Sequence, residues 1–358
     1  MEEPLSPARA HTMDKAGFSV LICCYNSARR LSPTLQALAG QQQLPDAQFA
    51  VEVLVIDNAS KDDTSAVAES LLGAPDFPHA GRVLYQAVPG KSHALELGLR
   101  EAQYRYIVIV DDDNWLAPDY LLRAYSIMEG NSRIGALGGV GSPVCEVSPP
   151  AWFPQFAIDY AASRQAPHEG DITHEPGFLY GAGSVIRRAA WLGVREADFH
   201  SLLTGRNGSN LSSGEDNELC YALALAGYRI WYDERLKFRH FIPAERLRWE
   251  YVCRLYRGNV KSEVNLRPYR HLLHHRAVPP LAWLRNGLYA GRYALQASWK
   301  AIRRNNFYPR EGNRDFLLAL YYWQMMGLYI GKEWTRDPKF KVVQELTTRL
   351  KTQLVPRL

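Results

Sequence analysis

The amino-acid sequence predicts an α/β fold, with a mainly parallel mixed sheet flanked by helices and a basic helical C-terminal extension. In residues 18–110, apolar runs of strand length alternate with stretches of helical period, and repeated β-α-β units build a largely parallel sheet. A chain of 358 residues, 47% of them hydrophobic, can also bury a large core. The charge reverses along the chain: residues 1–245 hold 20 Lys and Arg against 30 Asp and Glu, and residues 246–358 hold 22 against 7. This basic second part indicates a surface that meets an anionic partner, a membrane or a nucleic acid, or simply a solvated helical face.

Four strands of the predicted sheet are continuous apolar runs that end in polar residues, a pattern typical of strands buried on both faces. We expect these strands at Phe18–Asn26, Val51–Asp57, Arg82–Val88 and Tyr106–Val110. Helical spacing of the apolar residues predicts the connecting helices at 28–42, 62–72 and 92–103.

The second half of the chain has a less regular pattern. Residues 180–191 are typical of a strand that turns into a helix. A helix is predicted from about Asp216 to Ala226, followed by a strand at Tyr228–Tyr232. From about residue 246 the chain is rich in Arg, aromatic residues and Leu at helical spacing, so we place a domain boundary near that point.

The cysteine pattern favours a reducing compartment. The five cysteines are odd in number and show no C-x-x-C spacing, which argues against a disulfide framework. The N-terminal segment has no apolar signal region, and no window of about 18 uninterrupted apolar residues occurs. We therefore expect a cytoplasmic protein, with a peripheral position on the inner face of the cytoplasmic membrane as an alternative.

Polar side chains follow three of the predicted strands at the points where they end: Asn26, Asp57 and Asp111–Asp113. Ligands of parallel α/β sheets bind outside the carboxyl ends of the strands. Three adjacent carboxylates repel one another, and a divalent cation is the simplest compensation, since Mg²⁺ commonly takes one or two carboxylates plus substrate phosphates. A purely structural acidic turn, with Asp113 or Asn114 as a local cap, is the alternative.

Two familiar motifs are excluded at these positions. An EF-hand needs acids at alternate positions and a glycine where this chain has Leu116. The tetrapeptide at Pro89–Ser92 ends like a Walker A motif, but the required first glycine falls at Tyr85. A bound nucleotide would therefore be held by a metal and scattered side chains, with Lys91 either contacting phosphate or exposed to solvent.

Five stretches resemble, in order and spacing, those of family 2 glycosyltransferases with the GT-A fold. They are VLICCYN, VLVIDNASKDDT, PGKSHALELGL, IVIVDDDNWLAPDYL and SGEDNELCYALALAGYRIWY, and the resemblance spans about residues 17–250. It implies transfer of a sugar, with inversion at the anomeric carbon, from a nucleotide-diphosphate donor such as a UDP-, dTDP- or GDP-sugar. It also implies Mg²⁺ or Mn²⁺ as the cofactor.

The resemblance assigns several residues to the nucleotide sugar. Tyr25 matches the aromatic residue that packs on the nucleobase, with Asn26 beside it. Asp57 and Asn58 match an acidic pair that contacts the base and ribose; here Asn58 replaces the second acid, although an amide oxygen can still accept from a pyrimidine N–H. Gly183 matches a glycine-rich stretch near the donor sugar, where small residues permit close approach.

The acidic run Asp111–Asp113 matches the family's DxD element. Asp111 and Asp112 are assigned to the nucleotide sugar, with Asp112 oriented toward ribose or metal, and Asp113 is assigned as a metal ligand. His240 matches a C-terminal histidine that reaches the metal or the diphosphate; a packed or surface histidine is the alternative.

Glu215 and Asp216 match the family's acidic pair at the start of a helix. An inverting transfer needs one base to take the acceptor hydroxyl proton, and Asp216 is the predicted base. The alternative is that these acids cap the N-terminus of the helix, which favours negative charge.

The stretch from Glu245 to Trp249 resembles the Q-x-x-R-W element of processive family members, with Glu245 in place of Gln. This departure predicts addition of a single sugar rather than polymerisation. Arg248 and Trp249 are the candidates for the acceptor site, and Arg206 is a further candidate for a phosphate contact.

The predicted organisation has three parts: a flexible tail at 1–16, a catalytic domain at 17–250, and a basic amphipathic helical extension at 251–358. Within the catalytic domain, residues 17–114 form the nucleotide-binding half and residues 115–250 the half for sugar and acceptor.

The extension contains an apolar stripe at helical spacing, with most of its Arg and Lys residues elsewhere on the helix. The stripe consists of Leu281, Leu284, Leu288, Leu295, Trp299 and Ile302. Such a helix is typical of interfacial membrane binding and fits a glycan or lipid-linked acceptor. Packing on the catalytic domain or on a second subunit is the alternative.

Two other classes of function remain open from the sequence. A nucleotidyl- or phosphoryl-transfer enzyme could use the same acids, but the loop after the first strand offers only Arg29 and Arg30 to hold phosphate. A non-catalytic protein that binds membrane or nucleic acid is the other alternative. Nucleic acid is not an expected partner, because no recognition motif is present.

Overall fold

A computed structural model of the protein describes residues 15–42, 49–203, 214–274, 281–304, 310–330 and 338–354. Within these ranges nine strands form one sheet: β1 Lys15–Cys24, β2 Ala50–Asp57, β3 Ala80–Tyr85, β4 Tyr104–Asp111, β5 Asn114–Leu116, β6 Ile134–Cys145, β7 Gly170–Asp171, β8 Val185–Arg187 and β9 Arg229–Ile242. The α-helices are α1 Leu31–Ala39, α2 Thr64–Leu72, α3 Lys91–Glu101, α4 Tyr120–Gly130, α5 Arg188–Glu196, α6 Glu215–Leu225, α7 Trp249–His274, α8 Ala282–Arg303, α9 Arg314–Ile330 and α10 Pro338–Gln353. Two 3-10 helices span Phe153–Tyr160 and Ala244–Leu247.

The sheet is mixed, as the sequence predicts. Its strand order is β3-β2-β1-β4-β8-β6-β9-β5, and β7 pairs with β9. The first four strands in this order are parallel, whereas β8 runs antiparallel to both of its neighbours. The register places Cys24 opposite Asp57 and Cys23 opposite Asp111, so the carboxyl ends of β1, β2 and β4 meet at one edge.

The central strands are buried on both faces, which explains their continuous apolar sequence. On one face, Leu21 and Ile109 belong to a hydrophobic cluster that includes residues of α3, α5 and α6. On the other face, Val20 and Val108 belong to a cluster with residues of α1, α2 and α4. Helices therefore cover both sides of the sheet, and the edge formed by the strand ends remains for a site.

Several predicted boundaries differ from the structure, and two of these differences bear on the site. The third strand ends at Tyr85 rather than Val88, because Gln86 and Val88 present their carbonyl groups to the side chain of Asn58. The prediction of a strand at Tyr228–Tyr232 was too short, because β9 continues to Ile242. Buried and exposed side chains alternate through its last part, which is the period of a strand with one solvated face. His240 therefore lies within a strand, not beyond one.

The C-terminal region is helical, as expected, and its division into domains stays a prediction. Strand β1 already begins at Lys15, and the rest of the predicted tail, residues 1–14, lies outside the described residues. Helix α10 returns to the main core, where Leu346 and Leu350 join the cluster around α6. In the described part of the chain, no helix is long and apolar enough to cross a membrane.

Candidate active site

Each of the three adjacent acids at the end of β4 faces a different cationic side chain. Lys91 Nζ lies 2.5 Å from Asp111 Oδ1, and Arg30 Nη2 lies 2.7 Å from Asp112 Oδ2. For the third acid the partner is Arg246, described below. These ion pairs offset the repulsion among the three neighbouring carboxylates, and they lie at the edge where β1, β2 and β4 end.

Asp113 is the most deeply buried acid of the three, with 3% of the side chain exposed. Its Oδ2 accepts a hydrogen bond of 3.1 Å from Arg246 Nη1, and its Oδ1 lies 3.4 Å from His240 Nε2. Burial tends to raise the pKa of Asp113, but the nearby His240 imidazole and the charge of Arg246 outweigh it and hold the pKa well below its usual range. Asp113 therefore stays a carboxylate, the form that binds a cation.

Asp112 has the opposite balance. Burial and the neighbouring charge of Asp113 raise the pKa of Asp112, although Arg30 acts against them. Its backbone carbonyl also accepts a hydrogen bond of 2.8 Å from Thr34 Oγ1, which fixes the turn to α1. The pKa values of the two neighbouring acids are thus shifted in opposite directions.

His240 is oriented for a ligand at one ring nitrogen. Its Nδ1 lies 2.6 Å from the backbone carbonyl of Tyr160, which can only accept, so Nδ1 carries the proton. The other nitrogen, Nε2, is buried, points toward Asp113 and makes no hydrogen bond to any described residue. A histidine whose second nitrogen donates to a backbone carbonyl is the usual form of a metal-binding imidazole.

The described residues contain no group of three or more His, Cys, Asp or Glu side chains arranged to hold a cation. The protein therefore offers a pair, Asp113 Oδ1 and His240 Nε2. Such a pair fits Mg²⁺ or Mn²⁺ bound together with a diphosphate, because hard cations in nucleotide sites keep few protein ligands and take phosphate oxygens.

The ammonium group of Lys91 forms an ion pair with Asp111, and about 27% of the side chain is exposed. Lys91 is the first residue of α3, and besides Asp111 it lies in the field of Glu215. Burial lowers the pKa of Lys91, but the two acids outweigh burial and raise it above its usual value, so the ammonium group stays charged. Its predicted contact with phosphate remains a prediction.

The end of β1 and β2 carries the residues assigned to the nucleobase. The ring of Tyr25 is 49% exposed and free to stack on a planar ligand. Asn26 has a positive φ of 51°, and its Oδ1 accepts a hydrogen bond of 2.8 Å from the Lys61 amide. The Asp57 carboxylate is held at 2.9 Å by the Ser60 amide.

Asn58 has a structural task that the sequence did not indicate. Its amide group donates to the carbonyls of Gln86 and Val88, and its Oδ1 accepts a hydrogen bond of 2.7 Å from the Gly90 amide. The oxygen predicted to accept from a pyrimidine is thus engaged, and the side chain fixes the loop that leads into Lys91.

Asp216 lies in the first turn of α6, close to the glycine-rich segment. Its Oδ2 accepts a hydrogen bond of 2.7 Å from the Gly181 amide, and its Oδ1 accepts one of 2.9 Å from the Asn217 amide. The carboxylate is half-buried and oriented by both bonds. It therefore acts as a helix-terminal acceptor and still has lone pairs for a substrate proton.

Arg246, which the sequence analysis did not predict as a site residue, lies beside Asp113. Arg246 lies in the 3-10 helix Ala244–Leu247, which directly follows the strand that carries His240. Arg248, the predicted candidate, is exposed, and Trp249 packs against Trp152 with 5.5 Å between the ring centroids. The neighbouring arginines could not be distinguished by sequence, because the 3-10 turn decides which of them faces the acids.

Two family models match the chain. Residues 106–329, more than half of the protein, match glycosyl transferase family group 2, and residues 19–191 match glycosyl transferase family 2. The chain belongs to the family 2 glycosyltransferases. The predicted resemblance is thereby confirmed.

Curated relatives of this glycosyltransferase are bacterial. The poly-beta-1,6-N-acetyl-D-glucosamine synthase of Staphylococcus aureus strain COL is 25% identical over 248 residues, which cover 65% of this chain and 53% of that protein. The enzyme of the same name from Staphylococcus epidermidis is 27% identical over 126 residues, 34% of this chain and 28% of that protein. The chain thus matches about half or less of the length of these relatives.

Among solved structures, the mannosyltransferase PcManGT from Pyrobaculum calidifontis, in complex with GDP-Man and Mn²⁺, has a TM-score of 0.51 and 16% sequence identity. The match covers 96% of this chain and 87% of that chain. This likeness extends beyond the sheet into the helical extension, and it confirms the predicted GT-A fold of the glycosyltransferase.

The glycosyltransferase site thus contains most of the predicted residues. Those at one strand edge are Tyr25, Asn26, Asp57, Asn58, Lys91, Asp111, Asp112, Asp113, His240, Glu215 and Asp216. Arg30 and Arg246 join them, whereas Arg206 lies outside the described residues. The position of Arg30 in the loop after the first strand could have marked it as a candidate from the sequence. Its pairing with Asp112 is evident only in the folded structure.

We predict that Arg246→Gln lowers kcat/KM for sugar transfer by about tenfold or more, because a charge-assisted hydrogen bond contributes roughly 1.5–3 kcal/mol. The substitution leaves the Asp113 carboxylate without its strongest donor. Arg133→Gln, at an exposed arginine in the turn before β6, is the matched control, and its effect should stay below about twofold, as for most exposed surface changes. Initial rates of both variants decide the point, and equal losses would contradict the assignment of Arg246.

The backbone conformation at position 183 requires glycine. Gly183 has a φ of 72°, and a Cβ atom there would lie 2.9 Å from the Tyr120 hydroxyl, which itself donates to the Gly183 carbonyl. We expect Gly183→Ala to destabilise the protein by about 2 kcal/mol, since a left-handed residue with a side chain costs roughly 1–2 kcal/mol before any clash. Gly130→Ala, where a Cβ meets no atom within 4 Å, is the control and should be close to neutral in chemical unfolding.

Proposed function

We propose that this protein is a metal-dependent, inverting glycosyltransferase that moves a single sugar from a nucleotide-diphosphate donor to a hydroxyl group of a glycan or glycolipid. One observation carries the proposal. The same strand edge brings together the Asp113–His240 pair, the charged Lys91 and the oriented carboxylate of Asp216. A sugar nucleotide needs a cation for its diphosphate, which Asp113 and His240 would hold, and the acceptor needs a base, for which Asp216 is suited.

In this proposal, the nucleotide-sugar donor lies along the carboxyl ends of the strands, with its base at one end of the crevice and its diphosphate at the other. The exposed Tyr25 ring stacks on the base, with Asp57 beside it. Lys91, Arg30 and Arg246 surround the acids and supply positive charge for the diphosphate. The likeness to a mannosyltransferase bound to GDP-Man supports a sugar nucleotide; UDP-, dTDP- and GDP-sugars are all candidates.

Asp113 and His240 would hold Mg²⁺ or Mn²⁺. The bound ion would supply Lewis-acid stabilisation of the negative charge that develops on the leaving nucleoside diphosphate. Arg246, which pairs with Asp113, adds a second positive charge beside the proposed ion site. The Mn²⁺ in the mannosyltransferase structure supports the use of a divalent cation.

Asp216 is the proposed general base. A base in an inverting transfer removes the proton of the acceptor hydroxyl group as that oxygen attacks the anomeric carbon, and one positioned carboxylate suffices. The Gly181 and Asn217 amides fix the carboxylate, and Gly183 in the adjacent turn leaves room for the sugar. Glu215, the residue before Asp216, is the other member of the acidic pair.

The acceptor is proposed to be a growing glycan or a lipid-linked sugar in surface polysaccharide or glycoconjugate synthesis. The match to two staphylococcal synthases of a polysaccharide supports this class. Glu245 in place of the Gln of processive members supports addition of one sugar. All five cysteines are free thiols in the structure, which supports the proposed cytoplasmic location.

The experiment that tests this function supplies the purified protein with a panel of UDP-, GDP- and dTDP-sugars, Mn²⁺ and glycan or lipid-linked acceptors. We expect one donor to release its nucleoside diphosphate in an acceptor-dependent reaction, with one sugar added per acceptor and the anomeric configuration inverted by NMR. Long chains of product would contradict single-sugar addition, and retained configuration would contradict the assignment of Asp216.

A further inference from the structure

Helices α8 and α9 form an antiparallel hairpin with a large apolar face that no described residue covers. We define the hairpin face by its exposed apolar side chains: Leu284, Leu288, Leu295, Trp299 and Ile302 on α8, and Leu320, Trp323 and Ile330 on α9. The three most exposed of these are Leu288 at 66%, Leu295 at 61% and Trp299 at 60%. Exposed apolar side chains gathered on two packed helices are a candidate binding surface.

Packing on the opposite side fixes the orientation of this face. Small side chains of α8, among them Ala290, Ala294 and Ala301, are fully buried, and the α8 ring of Tyr293 lies 5.3 Å from that of Tyr322 on α9. Trp323 Nε1 donates a hydrogen bond of 3.1 Å to Ser298 Oγ, which joins the two helices at the edge of the face. The apolar side chains of the hairpin face therefore cannot turn inward without breaking an existing core.

The hairpin also packs on the element that leads out of the active site. Met325 and Tyr329 of α9 form a buried cluster with Val260 and Val264 of α7 and Ala290 of α8. Helix α7 begins at Trp249, two residues after the 3-10 helix that carries Arg246. The hairpin face thus belongs to the same packed structure as the site.

The charges around the hairpin face have one sign. Helix α8 contains Arg285, Arg292, Lys300 and Arg303 and no Asp or Glu. None of these four side chains forms an ion pair with a described residue, whereas Arg304, just beyond the helix, pairs with Asp315 at 2.6 Å. From residue 316 to residue 330, α9 carries no charged residue at all.

On a helical projection, the apolar side chains of α8 from Leu281 to Ile302 fall within one narrow stripe, and Arg285, Arg292 and Arg303 follow along one border of it. Long basic side chains in this position extend to a neighbouring anionic layer while the apolar stripe is buried. Trp299 and Trp323 are the side-chain type that accumulates at the boundary between water and lipid.

We propose that the hairpin face binds the surface of an anionic lipid bilayer, with α8 and α9 lying in the plane of the interface. The cations beside the apolar stripe, which have no ion-pair partner in the described ranges, complement acidic headgroups above a hydrocarbon layer. A second copy of this chain fits less well, because a two-fold contact through the same face would bring two cationic rows together. A nucleic acid would leave the apolar stripe in water. The proposal concerns binding and does not depend on the identity of the sugar donor.

The test measures flotation of the full-length protein with vesicles of phosphatidylcholine alone or of phosphatidylcholine and phosphatidylglycerol in equal parts. We expect binding to the anionic vesicles that weakens with added salt, and little binding to the neutral ones. The double variant Leu288→Glu with Trp299→Glu should reduce vesicle binding at least about tenfold, and Arg292→Glu with Lys300→Glu should reduce it to a similar degree.

Matched controls lie on other surfaces. Val147→Glu and Val342→Glu replace apolar side chains that are 50% and 45% exposed elsewhere, and Lys351→Glu replaces an exposed cation of α10; none should alter vesicle binding. All variants should keep the unfolding temperature of the parent protein, which separates loss of binding from loss of folding.

Three results would overturn the proposal. The first is absence of vesicle binding by the parent protein, and the second is equal binding to neutral and anionic vesicles. The third is a dimer in size-exclusion chromatography that Leu288→Glu with Trp299→Glu dissociates while vesicle binding is unchanged, since the face would then be a contact between two copies.

Discussion

Asp113→Asn is expected to lower kcat/KM for sugar transfer by about a thousandfold or more, the largest effect of any single substitution in this site. A bound cation stabilises the leaving diphosphate by several kcal/mol, and each 1.36 kcal/mol corresponds to about tenfold in rate. Asp113 is the buried carboxylate that, with His240, would hold this ion. Asparagine keeps the shape of the side chain and removes its charge. Initial rates at saturating Mn²⁺ measure the loss.

Asp119→Asn is the matched control for Asp113. Asp119 also pairs with an arginine, at 2.6 Å from Arg123, but it lies at the start of α4, beyond the acidic turn. Its substitution should change transfer by less than about twofold. An Asp113→Asn enzyme that retained more than about a tenth of the parent rate would contradict the proposed metal site.

The acid response of folding provides an independent check on Asp113. Its folded pKa is held below the unfolded value, so its stabilising contribution is fully present above the unfolded pKa of about 4 and is lost as the pH falls below that value. Asp113→Asn should therefore lower the unfolding temperature at pH 7, and the difference from the parent protein should shrink toward pH 3. A difference that does not change with pH would contradict a depressed pKa.

Asp216→Asn is expected to lower kcat by about 100- to 10,000-fold, the range by which a positioned general base accelerates proton transfer. The asparagine oxygen can still accept the hydrogen bond from the Gly181 amide, so the local structure should persist. Nucleotide binding should be unchanged, because Asp216 acts on the acceptor and not on the donor base. Rates at saturating donor and acceptor, with nucleotide affinity measured in parallel, separate the two effects.

Glu215→Gln is the companion variant for Asp216. Glu215 lies in the same turn of α6 and acts on the charge of Lys91, so its loss should affect donor affinity more than kcat. If instead Glu215→Gln abolished turnover and Asp216→Asn retained it, Glu215 would be the base and the assignment within the acidic pair would be wrong.

The sequence predicted the sheet and its acidic edge well, because both depend on local signals. The strands around Val20 and Val108 are buried on both faces, and a doubly buried strand must be apolar throughout. Once those strands are parallel and adjacent, the register itself brings Asp57 and Asp111 to one edge. The position of the acidic edge could therefore be predicted from the strand assignments alone.

The remainder depends on contacts between distant segments. Arg30 and Asp112 are 82 residues apart in the chain, and Arg246 and Asp113 are 133 apart. The hydrophobic periodicity of a sequence contains no information about which distant side chains will form an ion pair. Arg246 and Arg248 differ only in the direction that a short 3-10 turn gives them, and the second task of Asn58 appears only when the loop before Lys91 is folded.

The most direct test of the proposed sugar-nucleotide site is thermal unfolding of the protein with UDP, GDP or dTDP, each in Mn²⁺ or in EDTA. A ligand that binds only the folded state stabilises it by about 2.7 kcal/mol at a hundredfold excess over its dissociation constant. We expect one nucleotide to raise the unfolding temperature in Mn²⁺, and this shift to disappear in EDTA and in Asp113→Asn. No shift with any nucleotide, or a shift that EDTA and Asp113→Asn leave intact, would contradict a metal-assisted nucleotide site at this edge of the sheet.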